Sequence, residues 1–357
     1  MKKIVKIIIP TIIILLMAAL VGICYYEVTP STSKKNKIVF EVKKFDDNYG
    51  MKDLISDLKK ENLVKNEDFT YYYVRFNKFE LKAGTYILYS NMSLREVFEK
   101  ISNSNNAKEE TITITFKEGK NMKGIISTIT NNTSITEEEI LNKLKDEEYI
   151  KSLVDKYWFL SEEILDPNIY YPLEGYLAPD TYEFKKDATI EDIFGKMLDQ
   201  ESDILKKYKD SIEKSDLSLH QIMTLASIIE LEGNNINNRK QIMGVFMNRI
   251  KYGMNLGSDV TTYYAIGVDM SERDLYQSEI DDVNAYNTRS AGSIGMIPIG
   301  PICNPSSESI DAAANYVPND YLYFVADKVN NIYFSKSMEE HQDIIDRLIE
   351  EGLWYEY

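Results

Sequence analysis

One segment narrows what this chain can be before any other is read. From Ile7 to Cys24 the sequence is apolar apart from Pro10 and Thr11, with Lys2, Lys3 and Lys6 before it and Tyr25 and Tyr26 after it. A run of that length is what an α-helix needs to cross the hydrocarbon of a bilayer. Positive charge ahead of a span holds that end in the cytoplasm, and amphipathic rings favour the far interface. The expectation is a cytoplasmic tail over residues 1–6, a single-pass anchor over 7–26, and everything after Tyr26 outside the cell membrane. Processing signals fit poorly. Ile23 is bulky where a lipid-modified Cys24 would want a small neighbour, and Val21 and Ile23 stand where an ordinary cleavage site needs small side chains.

With 357 residues there is room beyond the anchor for two or three soluble modules, and an apolar share of 44% is enough to give them a buried core. The net charge of -16 argues against a nucleic-acid partner, because phosphates are bound by clustered Lys and Arg. Cys24 and Cys303 are the two cysteines, and the first lies in the apolar run, so no disulfide framework is expected. His220 and His341 are too few for a His-rich metal site, and no Cys/His spacing suggests zinc. Neither metal nor cofactor is expected.

The pattern along the chain predicts an α+β protein. A polar linker covers 27–37. Residues 38–104 read as a small module: a strand at Ile38–Val42, a helix from Met51 to Glu61, extended segments at Tyr71–Phe76 and Thr85–Leu88, and a helix over Ser93–Ile101. Residues 105–163 read as a connecting α+β segment, with a strand at Thr111–Phe116, a helix from about Met122 to Thr130, and a helix opened by the capping-box pair Thr136 and Glu139. From Ile164 to the end, Tyr, Pro, Gly and Asn motifs mix with strong helices in a further mixed α+β domain.

The stretch Leu219–Gly233, LHQIMTLASIIELEG, is the most informative. Ile222, Ala226 and Glu230 are four apart and share a helix face, with Leu225 and Ile229 flanking it. Glu232 points away. Gly233 is a helix stop, which places Glu230 in the last turn. Apolar burial and the negative end of the helix dipole both act there against a charged carboxylate, as a general acid requires. Equally, Glu230 could be a solvated residue at a frayed end. In YYPLEGYLAPDTYEF, Glu174, Asp180 and Thr181 lie among turns and aromatics, the mix that binds sugars, and Asp180 could equally just cap a turn. VFMNRIKYGMNLGSDVTTYYAIG offers hydrogen-bonding groups in Asn248 and Arg249 near a helix end and in Asp259, Thr261 and Thr262 of a loop, and Tyr286-Asn287-Thr288 adds a polar trio. No nucleophile stands in a convincing context near His220 or His341, and no phosphate-binding glycine loop appears.

Taken in order, these pieces resemble the endolytic murein transglycosylase family, also called YceG-like. The resemblance rests on EGYLAPDTY at Glu174–Tyr182, LASIIELE at Leu225–Glu232, the stretch Val245–Gly267, AYNT at Ala285–Thr288, PIGPICNP at Pro298–Pro305, and YLYFVAD with YFSKSMEEH between Tyr321 and His341. Upstream, LKAGTYIL and NMSLREVF resemble the family's LysM-like module. The resemblance implies an enzyme that cuts between N-acetylmuramic acid and N-acetylglucosamine within a strand and leaves a 1,6-anhydro end, and the anchor adds the expectation that the strands cut are nascent ones. It puts the catalytic Glu on Glu230, serving as acid and then as base; around it, Glu174, Asp180, Thr181, Asn248, Asp259, Thr262, Tyr286 and Asn287 are the expected substrate-binding residues. It implies peptidoglycan strands as substrate and peptidoglycan synthases as partners. The segment Ser290–Ile299, Ile332 and Gly233 depart from the family's usual pattern. A hydrolytic muramidase and a non-catalytic glycan-binding scaffold are the alternatives.

Overall fold

The computed structural model describes residues 2–46, 49–108 and 111–354. The apolar N-terminal run is one continuous helix, α1 (Lys2–Val28). Its stretch Pro10–Val28 is long and apolar enough to cross a membrane, a property that a signal sequence shares. The side chains of Lys2, Lys3 and Lys6, on which the expected orientation rests, lie outside the described residues.

The chain divides into two compact units, Met1–Thr111 and Ile112–Tyr357. In the first, β1 (Lys37–Val42) pairs antiparallel with β2 (Gly84–Tyr89), which pairs in turn with the short β3 (Ala107–Lys108). The helices α2 (Met51–Lys60), α3 (Glu67–Asn77) and α4 (Leu94–Ile101) complete this unit. Alternation on β1 sends Phe40 and Val42 inward, to a core shared with Leu54, Ile55 and Leu58 of α2 and Val97, Phe98 and Ile101 of α4. Ser93 starts α4 as expected: its hydroxyl accepts from the Glu96 amide at 3.3 Å, and the Glu96 carboxylate takes the Ser93 N–H at 2.7 Å.

Residues Tyr71–Phe76, expected to be extended, are helical and belong to α3. The aromatics suggest a strand, but Asn66 caps a helix start by accepting from Phe69 N at 2.9 Å. Thr70 and Val74, one turn apart, are then both buried. Strand preference is weak against a cap and a buried stripe acting together.

The second unit runs through β4 (Thr111–Thr115), α5 (Met122–Asn132), α6 (Glu137–Leu144), α7 (Glu147–Lys156), β5 (Thr181–Lys185), α8 (Ile190–Lys206) and α9 (Lys209–Glu213). It continues with α10 (Leu219–Glu232), α11 (Ile236–Lys251), α12 (Asp259–Ile266), α13 (Gln277–Ile280), α14 (Ser307–Ala314), β6 (Tyr323–Ala326), β7 (Ile332–Ser335) and α15 (Met338–Glu350). β4 pairs with β5, and β6 with β7 as an antiparallel hairpin. A single apolar interior extends from Ile114 to Ala313, so residues 112–163 share their core with the stretch that follows Ile164.

At the centre lies α10, in contact with α11, α12 and α14. Ile222, Met223, Leu225, Ala226, Ile228 and Ile229 are all fully buried. A helix apolar all round belongs inside a protein. Charge enters α10 at its last turn, as Glu230 and Glu232.

Candidate active site

The last turn of α10 ends at Gly233, whose N–H still reaches Ile229 O at 3.0 Å. Gly233 is extended (φ -107°), so its backbone needs no glycine. Close approach does: a Cβ there would lie 2.6 Å from Cγ of Arg239 in α11. Arg239 lies across this point and donates from Nε to Gly233 O (3.0 Å), from Nη1 to Ser306 Oγ (3.2 Å) and from Nη2 to Glu230 Oε1 (3.1 Å).

Glu230 is buried as expected, with its side chain 6% exposed, but among donors rather than apolar groups. Besides Arg239, its Oε2 accepts from Ser306 N at 2.9 Å, Ser306 Oγ at 2.6 Å and Ser309 Oγ at 2.7 Å. The N-terminus of α14 therefore points at this carboxyl, the end of a helix that favours negative charge. The turn at Gly119 packs on Glu230 and Leu231. Burial, and then the Glu230 charge, raise the Glu118 carboxyl above its usual range, with Arg239 opposing.

Glu232 faces the other way, toward the start of α12, and as a whole residue is part-buried, as Glu230 is. It accepts one hydrogen bond, from Ser258 Oγ. Burial of the carboxyl is the largest effect on it and raises its pKa, and the Asp259 charge adds to this. The Ser258 bond and the Arg249 and Arg289 charges oppose without cancelling. The two carboxyls of one turn thus have opposite surroundings: Glu230 is saturated, and Glu232 is pushed toward its neutral, proton-carrying form.

Ser258 is itself locked. Its N–H donates to Thr288 Oγ1 at 3.0 Å, and its carbonyl accepts from Thr261 Oγ1 at 2.7 Å. Next to this knot, Thr262 Oγ1 donates to Asn287 Oδ1 at 2.7 Å, and Asn287 Nδ2 donates to three carbonyls, the shortest that of Asp282 at 2.7 Å. Exposed Asp259 is ion-paired with Arg289.

The fold thus brings Asp259, Thr262 and Asn287 together beside Glu232. Tyr286 lies in a ring cluster with Tyr264 and Tyr170, at centroid distances of 4.9 and 4.8 Å. Tyr264 donates to Glu174 at 3.1 Å. Glu174 is buried, also accepts from Met122 N at 2.8 Å, and is pushed up to about 8 by desolvation. Asn248 spans to the carbonyls of Asn319 and Tyr321, both at 2.9 Å. Asp180 and Thr181 are exposed at the start of β5, where Thr181 shares a 2.9 Å hydroxyl contact with Thr115.

Sequence reasoning missed Arg239, Ser306, Ser309, Ser258 and Arg289, and reached Arg249 only as one of several hydrogen-bonding groups near a helix end. Ser306 had a signal: it follows Pro305 and opens an Ala-rich run, the mark of an N-cap with spare amide donors. Arg239 had none, because its partners Glu230 and Ser306 lie on other elements. His220, set aside as a base, uses both ring nitrogens at 2.7 Å, against Tyr176 Oη and Ile299 O. Cys303 is buried as packing, its thiol donating to Ser227 O.

Comparisons with known proteins agree with this architecture. An endolytic murein transglycosylase of Bacillus subtilis is 34% identical over 300 residues, covering 83% of this chain and 81% of its own length. One from Streptococcus pneumoniae is 32% identical over 80% of this chain, which spans about half (54%) of that longer relative. The crystal structure of a putative yceG-like protein from Listeria monocytogenes is 30% identical and covers 87% of this chain and 100% of its own, with a TM-score of 0.61. The YceG-like family model matches residues 44–347, and the chain belongs to that family.

Proposed function

We propose that this protein is an endolytic lytic transglycosylase of peptidoglycan, cutting the N-acetylmuramic acid–N-acetylglucosamine bond within nascent strands to leave 1,6-anhydro ends. The names of its relatives support the reaction. The observation that carries the chemistry is a carboxyl at the end of α10, Glu232, that accepts a single hydrogen bond, from Ser258 Oγ, and that burial pushes toward its protonated form. Such a group gives its proton to the departing glycosidic oxygen as positive charge builds at the anomeric carbon. It then takes the proton of the sugar's own 6-hydroxyl as that oxygen closes on the same carbon. The proton is returned and no water enters, so one carboxyl serves where ordinary glycosidases use two.

The resemblance names Glu230 as this group, while the contacts favour Glu232. A general acid needs a proton to give and carboxylate oxygens not already committed to other donors. Glu230 spends its oxygens on a guanidinium, an amide and two hydroxyls. Glu232 accepts a single hydrogen bond, from Ser258 Oγ, and is raised by burial and by Asp259. We therefore assign the acid/base to Glu232 and the bracing of α10 against α14 to Glu230. Glu230 as the acid is the second reading, and requires Arg239 and Ser306 to release it first. Exposed Asp259, Asp180 and Thr181 would touch the strand directly, and Glu174, Asn248, Thr262, Tyr286 and Asn287 would shape the walls.

In the same reading α1 is an uncleaved anchor with the catalytic unit outside the cytoplasmic membrane, the 38–104 module is LysM-like and binds glycan, and peptidoglycan synthases are partners. The test is mass spectrometry of purified uncross-linked strands after incubation with the full chain in detergent. Anhydro-ended internal fragments that vanish with Glu232→Gln and persist with Glu230→Gln are the expected result. The reverse pattern moves the acid to Glu230. Products one water heavier mean a muramidase, and no products from folded protein mean a scaffold.

A further inference from the structure

Arg249 presents a part-buried charge without an ion-pair partner among the described residues. Its guanidinium donates from Nε to Leu322 O at 2.7 Å and from Nη1 to Leu256 O at 2.5 Å, and lies over the Tyr323 ring at 5.4 Å. Gly257, at φ +65°, packs directly on it, and a Cβ there would come within 2.9 Å of Nη1. Among the described residues no carboxylate forms an ion pair with it, whereas Arg239 pairs with Glu230 and Arg289 with Asp259. Carbonyls and a ring offset part of the desolvation of a guanidinium, but a buried cation normally has an anion beside it. The Glu232 carboxyl is within reach of its field.

We propose that Arg249 is a positioning residue whose counter-ion is transient: the Glu232 carboxylate that exists between the two proton transfers. The inference rests on Glu232 as the acid/base. Two effects combine. The bond to Leu256 O fixes the loop that leads directly to Ser258, the hydroxyl on Glu232. The fixed positive charge then steadies the carboxylate once its proton has gone to the leaving oxygen, without closing onto it while it is protonated. Such charge, placed before the reaction, needs no reorganisation during it. The other charged groups facing Glu232 are Asp259 and Arg289, which pair with each other. Those facing Arg249 are Tyr323, Arg289 and His341, whose imidazole is lowered by burial and then by Arg249.

The experiment is the pH profile of strand cleavage by the full chain for wild type, Arg249→Gln, Arg249→Lys and Glu232→Gln, with folding checked by circular dichroism. Arg249→Gln removes the charge that favours ionised Glu232, so the high-pH limb moves up in pH and kcat falls about tenfold or more. Arg249→Lys keeps the charge and loses the fork, so kcat falls while the limb stays in place. Equal limbs for wild type and Arg249→Gln overturn the proposal, since a purely structural role lowers activity without moving a titration. Should Arg249→Gln not fold, Arg249→Lys decides: a limb that shifts with the charge intact overturns it. Full activity in Glu232→Gln removes the underlying assignment, and this inference with it.

Discussion

At residue scale, Glu230 and Glu232 share a helical turn and a side-chain type yet differ in everything that governs proton transfer. The first has four donors and the second has one. Replacing Glu232 by Gln is expected to lower cleavage by about 10²-fold or more, the usual loss for a general acid. Wild-type activity is expected to persist above the usual carboxylate range and to fall at higher pH as Glu232 ionises, which an initial-rate profile checks. Glu174 bears on stability instead. Its folded-state value near 8 lies above the ordinary one, so between pH 4.5 and 8 the native state holds a proton that the unfolded chain has released. That contribution is complete below the ordinary value and is lost as pH rises toward 8, at a slope of up to about 1.4 kcal/mol per pH unit. Thermal melts from pH 5 to 9 should show the decline, and Glu174→Gln should flatten it. The position of Glu230 was legible from the apolar spacing of α10. Its donors were not, because Ser306 and Ser309 come from a distant part of the chain that no local pattern links to it.

Elements show the same division between local and distant cause. The starts of α4 and α6 could be read directly, because Ser93 with Glu96 and Thr136 with Glu139 close their capping boxes within one turn. α3 was misread because its aromatics were weighed without Asn66 ahead of them. The end of α10 was placed correctly at Gly233, for an incomplete reason: the glycine makes room for Arg239 and is not left-handed. Gly233→Ala should therefore displace Arg239 and destabilise the fold by about 1–3 kcal/mol, as overpacking does. A lower urea midpoint at unchanged slope would show it. Ser306→Ala removes both the cap of α14 and a hydroxyl bond to Glu230. We expect a loss of about 1–2 kcal/mol, larger than for Ser93→Ala at the partly exposed start of α4, measured in the same way.

For the whole molecule, the N-terminal helix and the rest of the chain make separable demands. A chain lacking residues 1–36 should still cut purified strands in solution while failing to restore strand length in cells that lack the full protein. Chromatography of glycan strands from such cells checks both halves, and restored length would remove the anchor's proposed role. The join between anchor and first module carries a further consequence. Lys65 donates to Tyr26 O at 2.5 Å and Thr29 Oγ1 at 3.1 Å, and its ammonium lies 3.9 Å from the centre of the Tyr26 ring. The module is thus clasped to the end of α1 instead of trailing from it on a loose cord. With α1 seated in a bilayer, the module's height would be set by the depth and tilt of the helix, as a float sets the depth of a hook. Bilayer thickness would then become a variable of wall architecture, one that lipid composition could tune without any change in the enzyme.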